Sequence, residues 1–265
     1  MTMQAGVAGQ PIAHSLSPLI HAAWIAAAGL DAAYQAWGPA DADEFAALVA
    51  EGRAGSLRGM NVTAPFKEQA LAMAEEASAT ARTCGSANLL LFGGGRVRAD
   101  STDGAGMMAA LAEQAPQLDV NGRWVMVLGA GGAARAAVAA LKAAGAEVGV
   151  LNRTRARAEA LGSDLGVVVA EPGALAGAAL VVNGLSVRPD IDLSGLRDDA
   201  VLMDMTYRPL MTPFLAQGRA RGLATVDGLA MLIGQARPSF QALFGQPPPD
   251  VDVRAVALRA LESGA

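Results

Sequence analysis

The chain carries a single cysteine, Cys84, in 265 residues, which rules out an internal disulfide and any cysteine cluster of the zinc-binding kind. Cys84 itself is expected to be a buried structural thiol. Histidines number only two. His14 and His21 have no acidic or cysteine companion at ligand spacing, so helix packing or hydrogen bonding is expected of them and a metal is not. Aromatic residues make up 4% of the chain, too few for an all-β sandwich, which draws on aromatic and β-branched residues. The formal net charge is −5 and no basic block stands out, so no nucleic-acid partner is expected. No apolar run reaches the roughly 18 residues of a membrane span. The start, Met1-Thr2-Met3-Gln4, lacks the basic stretch and apolar run of a secretory signal. A soluble, cytoplasmic protein is the expectation.

What the chain has is alanine, which carries much of its 52% hydrophobic content, and 31 glycines beside it; together they favour closely packed helices and tight backbone approaches. Its length suits one large domain or two smaller ones. Short strands are expected at Gln4–Ala8, Ala33–Trp37 and Gly59–Val62, with helices over Pro18–Ala28, Asp43–Glu51 and Glu68–Glu76. Asn88–Phe92 and Val97–Asp100 flank Gly93-Gly94-Gly95, a hairpin signal. Beyond it the order becomes regular: helix Thr102–Gln114, strand Trp124–Leu128, helix Ala133–Ala144 with Gly145 at its end, strand Glu147–Leu151, helix Arg155–Leu161, and short buried strands at Leu180–Asn183 and Val201–Asp204. Strands alternating with helices predict a parallel, doubly wound sheet. Leu229–Leu243 and Val251–Leu261 read as terminal helices either side of Pro247-Pro248-Pro249. A domain boundary is expected near Asp103.

Gly129, Gly131 and Ala134 fit G-x-G-x-x-G/A between a strand and a helix. The first glycine allows the tight turn, the second lets the backbone approach a pyrophosphate, and the small third residue lets helix and strand pack closely. The segment Gly129-Ala130-Gly131-Gly132-Ala133 then offers the phosphates the free N–H groups and partial positive charge of a helix start. The second strand points to the cofactor. Sites for NAD carry an acidic residue there to bond the ribose 2′-OH. This chain has Asn152-Arg153-Thr154, with Arg155 and Arg157 close behind. A guanidinium pairs with a 2′-phosphate that a carboxylate would repel. At about 1.5–3 kcal/mol per charged hydrogen bond, less when solvated, two contacts give a preference on the order of 100-fold for NADP.

Three N-terminal segments are polar where strands end. Ser15-Leu16-Ser17-Pro18 is a helix-start signal with Ser17 as the expected N-cap and Pro18 at the first helical position. Capping leaves Ser15 unexplained, and two hydroxyls beside free helix N–H groups would also bind a carboxylate. Asn61-Val62-Thr63-Ala64-Pro65-Phe66-Lys67 closes a short apolar strand, and Ser101-Thr102-Asp103-Gly104 opens a helix. Taken singly, each has an ordinary structural explanation: a cap, a surface lysine, a turn.

In order along the chain, Gly9–Pro18, Asn61–Lys67, Ser101–Gly104, the Gly129 loop, Asn152-Arg153-Thr154, Asp204-Met205-Thr206-Tyr207 with Thr212-Pro213, Asp227-Gly228-Leu229 and Gln235 together resemble the shikimate dehydrogenase family, including its quinate/shikimate relatives. The resemblance implies two α/β domains. One is a substrate domain over 1–102 completed by the terminal helices over 229–265. The other is a Rossmann-type NADP domain over 103–228. It implies reversible reduction of 3-dehydroshikimate to shikimate with NADPH. Lys67 and Asp103 would form the catalytic pair, and Ser15 and Ser17 would hold the substrate carboxylate. Thr63, Asn88, Tyr207 and Gln235 would line the ring and its hydroxyls, and Met205, Gly228 and Met231 would lie near the nicotinamide. No metal is implied, and the protein would act as a monomer or homodimer.

Some positions depart from the family pattern. Asn88-Leu89 replaces an Asn-Thr pair, removing a hydroxyl expected near the substrate. Ser101 stands where asparagine is common, Asn183-Gly184-Leu185-Ser186 replaces an Asn-Ala-Thr-Ser stretch, and Ala134 replaces a serine. Two alternatives therefore stand beside a shikimate dehydrogenase: a family member preferring quinate or another analogue, and a non-catalytic NADP-binding protein, against which the retention of Lys67 and Asp103 counts.

Overall fold

In a computed structural model, which describes residues 2–185, 189 and 191–263, the chain divides into two compact units, Met1–Thr102 with Gln235–Ala265, and Asp103–Gly234. The division falls inside one helix, at Gly234–Gln235.

The first unit begins with strand β1 (Met3–Ala8), helix α1 (Ser17–Ala27), strand β2 (Ala32–Trp37), helix α2 (Ala42–Arg53), strand β3 (Gly59–Val62) and helix α3 (Lys67–Ala72). Strand β4 (Glu76–Ala77), helix α4 (Ala79–Cys84) and the hairpin β5 (Leu89–Gly93) and β6 (Arg96–Asp100) follow. The sheet order is β2-β1-β3-β5-β6-β4. β1 runs parallel to β2 and β3, while β5 is antiparallel to β3 and β6. Strand alternation divides the side chains between two faces. Met60, Val62, Leu90, Phe92, Val97 and Ala99 pack with Phe45 and Val49 of α2 and with Phe66, which stacks on Phe45 at 4.8 Å. Asp41 caps α2, accepting from the Asp43 and Glu44 N–H groups, and Glu44 accepts in turn from Ala40 N–H at 2.8 Å.

The helix expected over Glu68–Glu76 stops at Ala72, because Glu76 and Ala77 pair instead with Arg98 and Ala99 on β6. Ser17 is not the N-cap of α1 either. The helix begins at Ser17 with Leu16 in the cap position, and it is Ser15 whose hydroxyl accepts from the Ser17 N–H at 3.3 Å. Moving the helix start one residue upstream puts Ser17 inside the first turn, where it is buried.

The second unit runs through α5 (Asp103–Gln114), β7 (Trp124–Leu128), α6 (Gly132–Ala143), β8 (Glu147–Leu151), α7 (Arg155–Leu165) and β9 (Val168–Val169). A 3-10 turn at Pro172–Gly177 precedes β10 (Leu180–Asn183), β11 (Val201–Asp204), α8 (Pro213–Ala220), β12 (Ala224–Val226) and α9 (Gly228–Phe244). Helix α10 (Val253–Glu262) returns to the first unit. The sheet is parallel throughout, in the order β12-β11-β10-β7-β8-β9. Val125 and Val127 point to a core with α5, α6 and α7, and Met126 and Leu128 to one with Phe214, Leu215, Leu175 and Leu193. Helices thus cover both faces, the doubly wound arrangement. Its strand order reverses between β7 and β10, the place where such sheets bind ligands at the carboxyl ends of their strands. No helix among the described residues is long and apolar enough to cross a membrane.

Candidate functional site

In the first unit, one edge of the sheet collects the polar segments. β1 and β3 are parallel, so the loops after Ala8 and Val62 leave from the same end. Thr63 donates its N–H to the Ala8 carbonyl at 2.9 Å, and its own carbonyl accepts from Phe66 N–H at 3.1 Å. This tight turn starts α3, with Lys67 as its first residue and half-buried. The Lys67 carbonyl accepts from Ala87 N–H at 2.9 Å, which ties the start of α3 to the segment carrying Asn88. β5 is antiparallel to β3, so Asn88 at its start lies at this same edge, and Val62 N–H donates to the Asn88 carbonyl at 2.8 Å. β6 ends there too, delivering Ser101 and Thr102.

Asn88 is buried and held at both ends of its amide. Its Oδ1 accepts from Thr102 N–H at 2.7 Å, while its Nδ2 donates to Thr102 Oγ1 at 2.9 Å and to Gln235 Oε1 at 3.2 Å. Ser15, Ser17, Thr63, Lys67, Asn88 and Gln235 therefore belong to one unit. Leu89, one residue on, is a core position, in register with Asn61 and Asp100 and 1% exposed. Asp103 is buried at the first position of α5 and opens the second unit.

In the second unit, the six parallel strands all end at one edge of the sheet, and the loops that follow leave from there. After β7, Gly129 has φ +113°, a conformation that favours glycine, and a Cβ on it would lie 3.2 Å from the backbone of Gly184 in the loop after β10. Gly131 is the N-cap of α6, with no side-chain cap, and a Cβ there would meet nothing within 4 Å. Bare helix N–H groups beside open space at the switch point fit a pyrophosphate. Ala134 is fully buried, as close helix–strand packing requires.

After β8, Asn152 Nδ2 donates to the Thr154 carbonyl at 2.9 Å, shaping the turn into α7. Arg155 is committed to Glu159 at 2.9 Å and Glu171 at 2.5 Å, which raise its pKa. Arg153 and Arg157 are exposed and form no ion pair among the described residues. They are the guanidiniums able to meet a 2′-phosphate.

The loop after β11 carries Met205, Thr206 and Tyr207, and Asp204 holds it. Its Oδ1 accepts from Asn183 Nδ2 at 3.1 Å and Thr206 N–H at 2.9 Å, and its Oδ2 accepts from Thr212 Oγ1 at 2.7 Å. Thr212 also caps α8. Gly228 starts α9 against this loop: a Cβ on it would lie 2.5 Å from the Met205 carbonyl oxygen. Asp227 caps α9, accepting from Ala230 N–H at 2.9 Å. Met205 is half-buried, whereas Met231 lies in the apolar core of the unit. Of the 183–186 stretch, Ser186 lies outside the described residues. The sequence reading assigns no role to Asp204, Thr212 or Ser239; of their bonds, the pairing of Asp204 with Asn183 and of Ser239 with Asn61 carries no local sequence signal.

Residues 7–90 match the family model described as shikimate dehydrogenase substrate binding domain, and residues 110–177 match the one described as shikimate / quinate 5-dehydrogenase. A relative from Caulobacter vibrioides named shikimate dehydrogenase (NADP(+)) is 52% identical over 271 residues, covering 97% of this chain and 95% of the relative. The chain belongs to the shikimate dehydrogenase family. A second member of that family, from Maricaulis maris and bearing the same name, is 44% identical, covering 97% of this chain and 96% of its own. Among solved structures, shikimate 5-dehydrogenase from Thermus thermophilus, in complex with NADP(H) and shikimate, superposes with a TM-score of 0.90 at 35% identity, over 97% of this chain and 99% of that one.

Proposed function

We propose that this chain catalyses the NADP-dependent, reversible reduction of 3-dehydroshikimate to shikimate. Membership of the shikimate dehydrogenase family over nearly the full chain carries the reading. The local geometry supports it: a tight turn placing Lys67 at the start of α3, and bare helix N–H groups after Gly129.

NADP(H), when bound, supplies or accepts the hydride. Gly129, Ala130, Gly131, Gly132 and Ala133 would hold the pyrophosphate, Asn152, Arg153, Thr154 and Arg157 the adenosine end with its 2′-phosphate, and Met205, Gly228 and Met231 the nicotinamide end. The chain's own chemical task is the proton. Reduction turns a carbonyl oxygen into an alkoxide, and Lys67 Nζ donates a proton to that oxygen as charge develops; in oxidation Nζ takes it back. Asp103 is assigned to orient the ammonium and a substrate hydroxyl. Ser15 and Ser17 bind the substrate carboxylate, and Thr63, Asn88, Tyr207 and Gln235 its ring and hydroxyls. The reading places the protein in the cytoplasm, as a monomer or homodimer.

The test is to incubate the purified protein with shikimate or quinate, each with NADP⁺ or NAD⁺, and follow reduced nicotinamide. Turnover with shikimate and NADP⁺ is expected; turnover of quinate alone would move the assignment to the analogue-preferring branch, and NADP⁺ binding without any turnover would remove the catalytic reading. Lys67→Ala is expected to lower kcat by about 10²–10⁴. Near-normal turnover in that variant would sink the role given to Lys67.

A further inference from the structure

Behind Asn88 and Gln235 lies a buried hydrogen-bond network whose directions can be worked out. It joins Tyr34 on β2, Asn61 on β3, Thr102 at the end of β6, and Ser239 on α9, all within the first unit. Tyr34 donates its O–H to Asn61 Oδ1 at 2.7 Å. That leaves the Asn61 amide nitrogen as donor, and it spends its hydrogens on the Asn88 carbonyl at 3.1 Å and Ser239 Oγ at 2.9 Å. Ser239 is fully buried and donates its own hydrogen to the Gln235 carbonyl, one turn back, at 3.0 Å.

A serine hydroxyl has one hydrogen and two acceptor sites. With its hydrogen used on Gln235, Ser239 must be the acceptor in its 3.2 Å contact with Thr102, so the Thr102 O–H points at Ser239. The Thr102 oxygen then faces Asn88 as an acceptor. Asn88 must turn its Nδ2 toward it, which agrees with the Thr102 N–H lying 2.7 Å from Asn88 Oδ1. With Asn88 Nδ2 fixed, Gln235 must present Oε1 to it.

We infer that Ser239 is a positioning residue: by taking the Thr102 hydroxyl hydrogen it keeps the Thr102 oxygen as an acceptor for Asn88, reinforcing the amide orientation that the Thr102 N–H imposes and, through Asn88, the one that Gln235 presents to the substrate. The inference rests on the reading above, in which Asn88 and Gln235 bind substrate hydroxyls. Without the Ser239 hydroxyl, two buried donors lose their acceptor. The nearest oxygens left to the Thr102 hydroxyl are Asn88 Oδ1 at 3.3 Å and Gln235 Oε1 at 3.4 Å, so it competes for the atoms that hold the two amides in place. Both side chains then sample more than one arrangement, and the cost falls on substrate binding. The cofactor loops belong to the second unit.

Steady-state kinetics of Ser239→Ala tests this, with calorimetric binding of shikimate alongside. The expected result is a rise of about tenfold in KM and Kd for shikimate, the effect of one buried hydrogen bond. KM for NADP⁺ should stay within about twofold and kcat within about threefold of the parent. Thr102→Val, which keeps the shape and removes the hydroxyl, should reproduce the rise, and Thr102→Ser, which keeps the hydroxyl, should not. That pair decides the matter if Ser239→Ala does not fold. Unchanged shikimate KM in Ser239→Ala or Thr102→Val overturns the inference, as does a parallel loss in kcat and in both KM values. A parent protein that neither binds nor turns over shikimate overturns the functional reading instead.

Discussion

His21 is fully buried, and neither of its ring nitrogens has a hydrogen-bond partner among the described residues. It is held by packing: stacked on Tyr34 at 3.9 Å and set edge-on to Trp24 at 5.6 Å, with the Arg237 guanidinium on the same indole at 5.7 Å. Burial drives its pKa down from 6.5 to about 3, so the native ring stays neutral while the unfolded one protonates. Between those values the unfolded chain binds one more proton, and stability rises with pH. The contribution is complete above the unfolded pKa and is lost as pH falls toward the folded one, at up to about 1.4 kcal/mol per pH unit. His21→Phe keeps the stack and cannot titrate. Urea unfolding of parent and variant at pH 6.5 and 4.5 should show a slope flatter by about 1 kcal/mol per pH unit in the variant; parallel slopes would rule out the buried neutral imidazole. Residues differ in how much of this is legible in sequence. That His21 would be held by helix packing is legible in its place on a helix without acidic or cysteine companions. That Ser15 and not Ser17 would bond the helix start does not follow, because both hydroxyls satisfy the same local rule and only the backbone path decides between them.

The turn from β8 into α7 joins local pattern to cofactor choice. Three arginines in five residues look alike in sequence, and their partners separate them: Glu171 lies beyond β9 and claims Arg155, leaving Arg153 and Arg157. Exposed guanidiniums deliver less than buried ones, so the joint variant Arg153→Ala/Arg157→Ala should lower the NADP⁺ over NAD⁺ preference in kcat/KM by about 10- to 100-fold, chiefly through KM for NADP⁺. Arg155→Ala should change that preference by less than about threefold. A joint variant with the parent's preference would send the 2′-phosphate elsewhere. Element boundaries were legible where periodicity and punctuation agreed, as for β7, β8 and the hairpin around Gly94. They were not where long-range pairing competes with helix propensity. Residues 73–77 carry a helical composition, and β6 draws Glu76 and Ala77 into a strand.

At the scale of the whole molecule, the alternation of strand and helix was enough to foresee a parallel, doubly wound sheet. The order of its strands was not, since order is a matter of which edges meet. The same holds for the site. Asn88 and Gln235 are 147 residues apart and meet through a hydrogen bond that only the fold supplies. The motif loops, by contrast, were readable because each marks a strand end by itself. The second unit gathers two apolar clusters, one on each face of its sheet, and every member of both falls between Asp103 and Gly234. A unit that is continuous in sequence and owns its core should fold without the rest of the chain. Residues 103–234, expressed alone, should melt cooperatively and bind NADP⁺ with a Kd within about tenfold of the full chain, so that NADP⁺ at 100 times Kd stabilises the fragment by about 2.7 kcal/mol. The fragment should not turn over shikimate, because Lys67, Asn88 and Gln235 are absent from it. Thermal melts with and without NADP⁺ separate the outcomes. A cooperative melt that NADP⁺ leaves unmoved would mean that Gly129 and its neighbours do not hold the cofactor unaided, and the absence of a cooperative melt would mean that these two clusters do not suffice as a core.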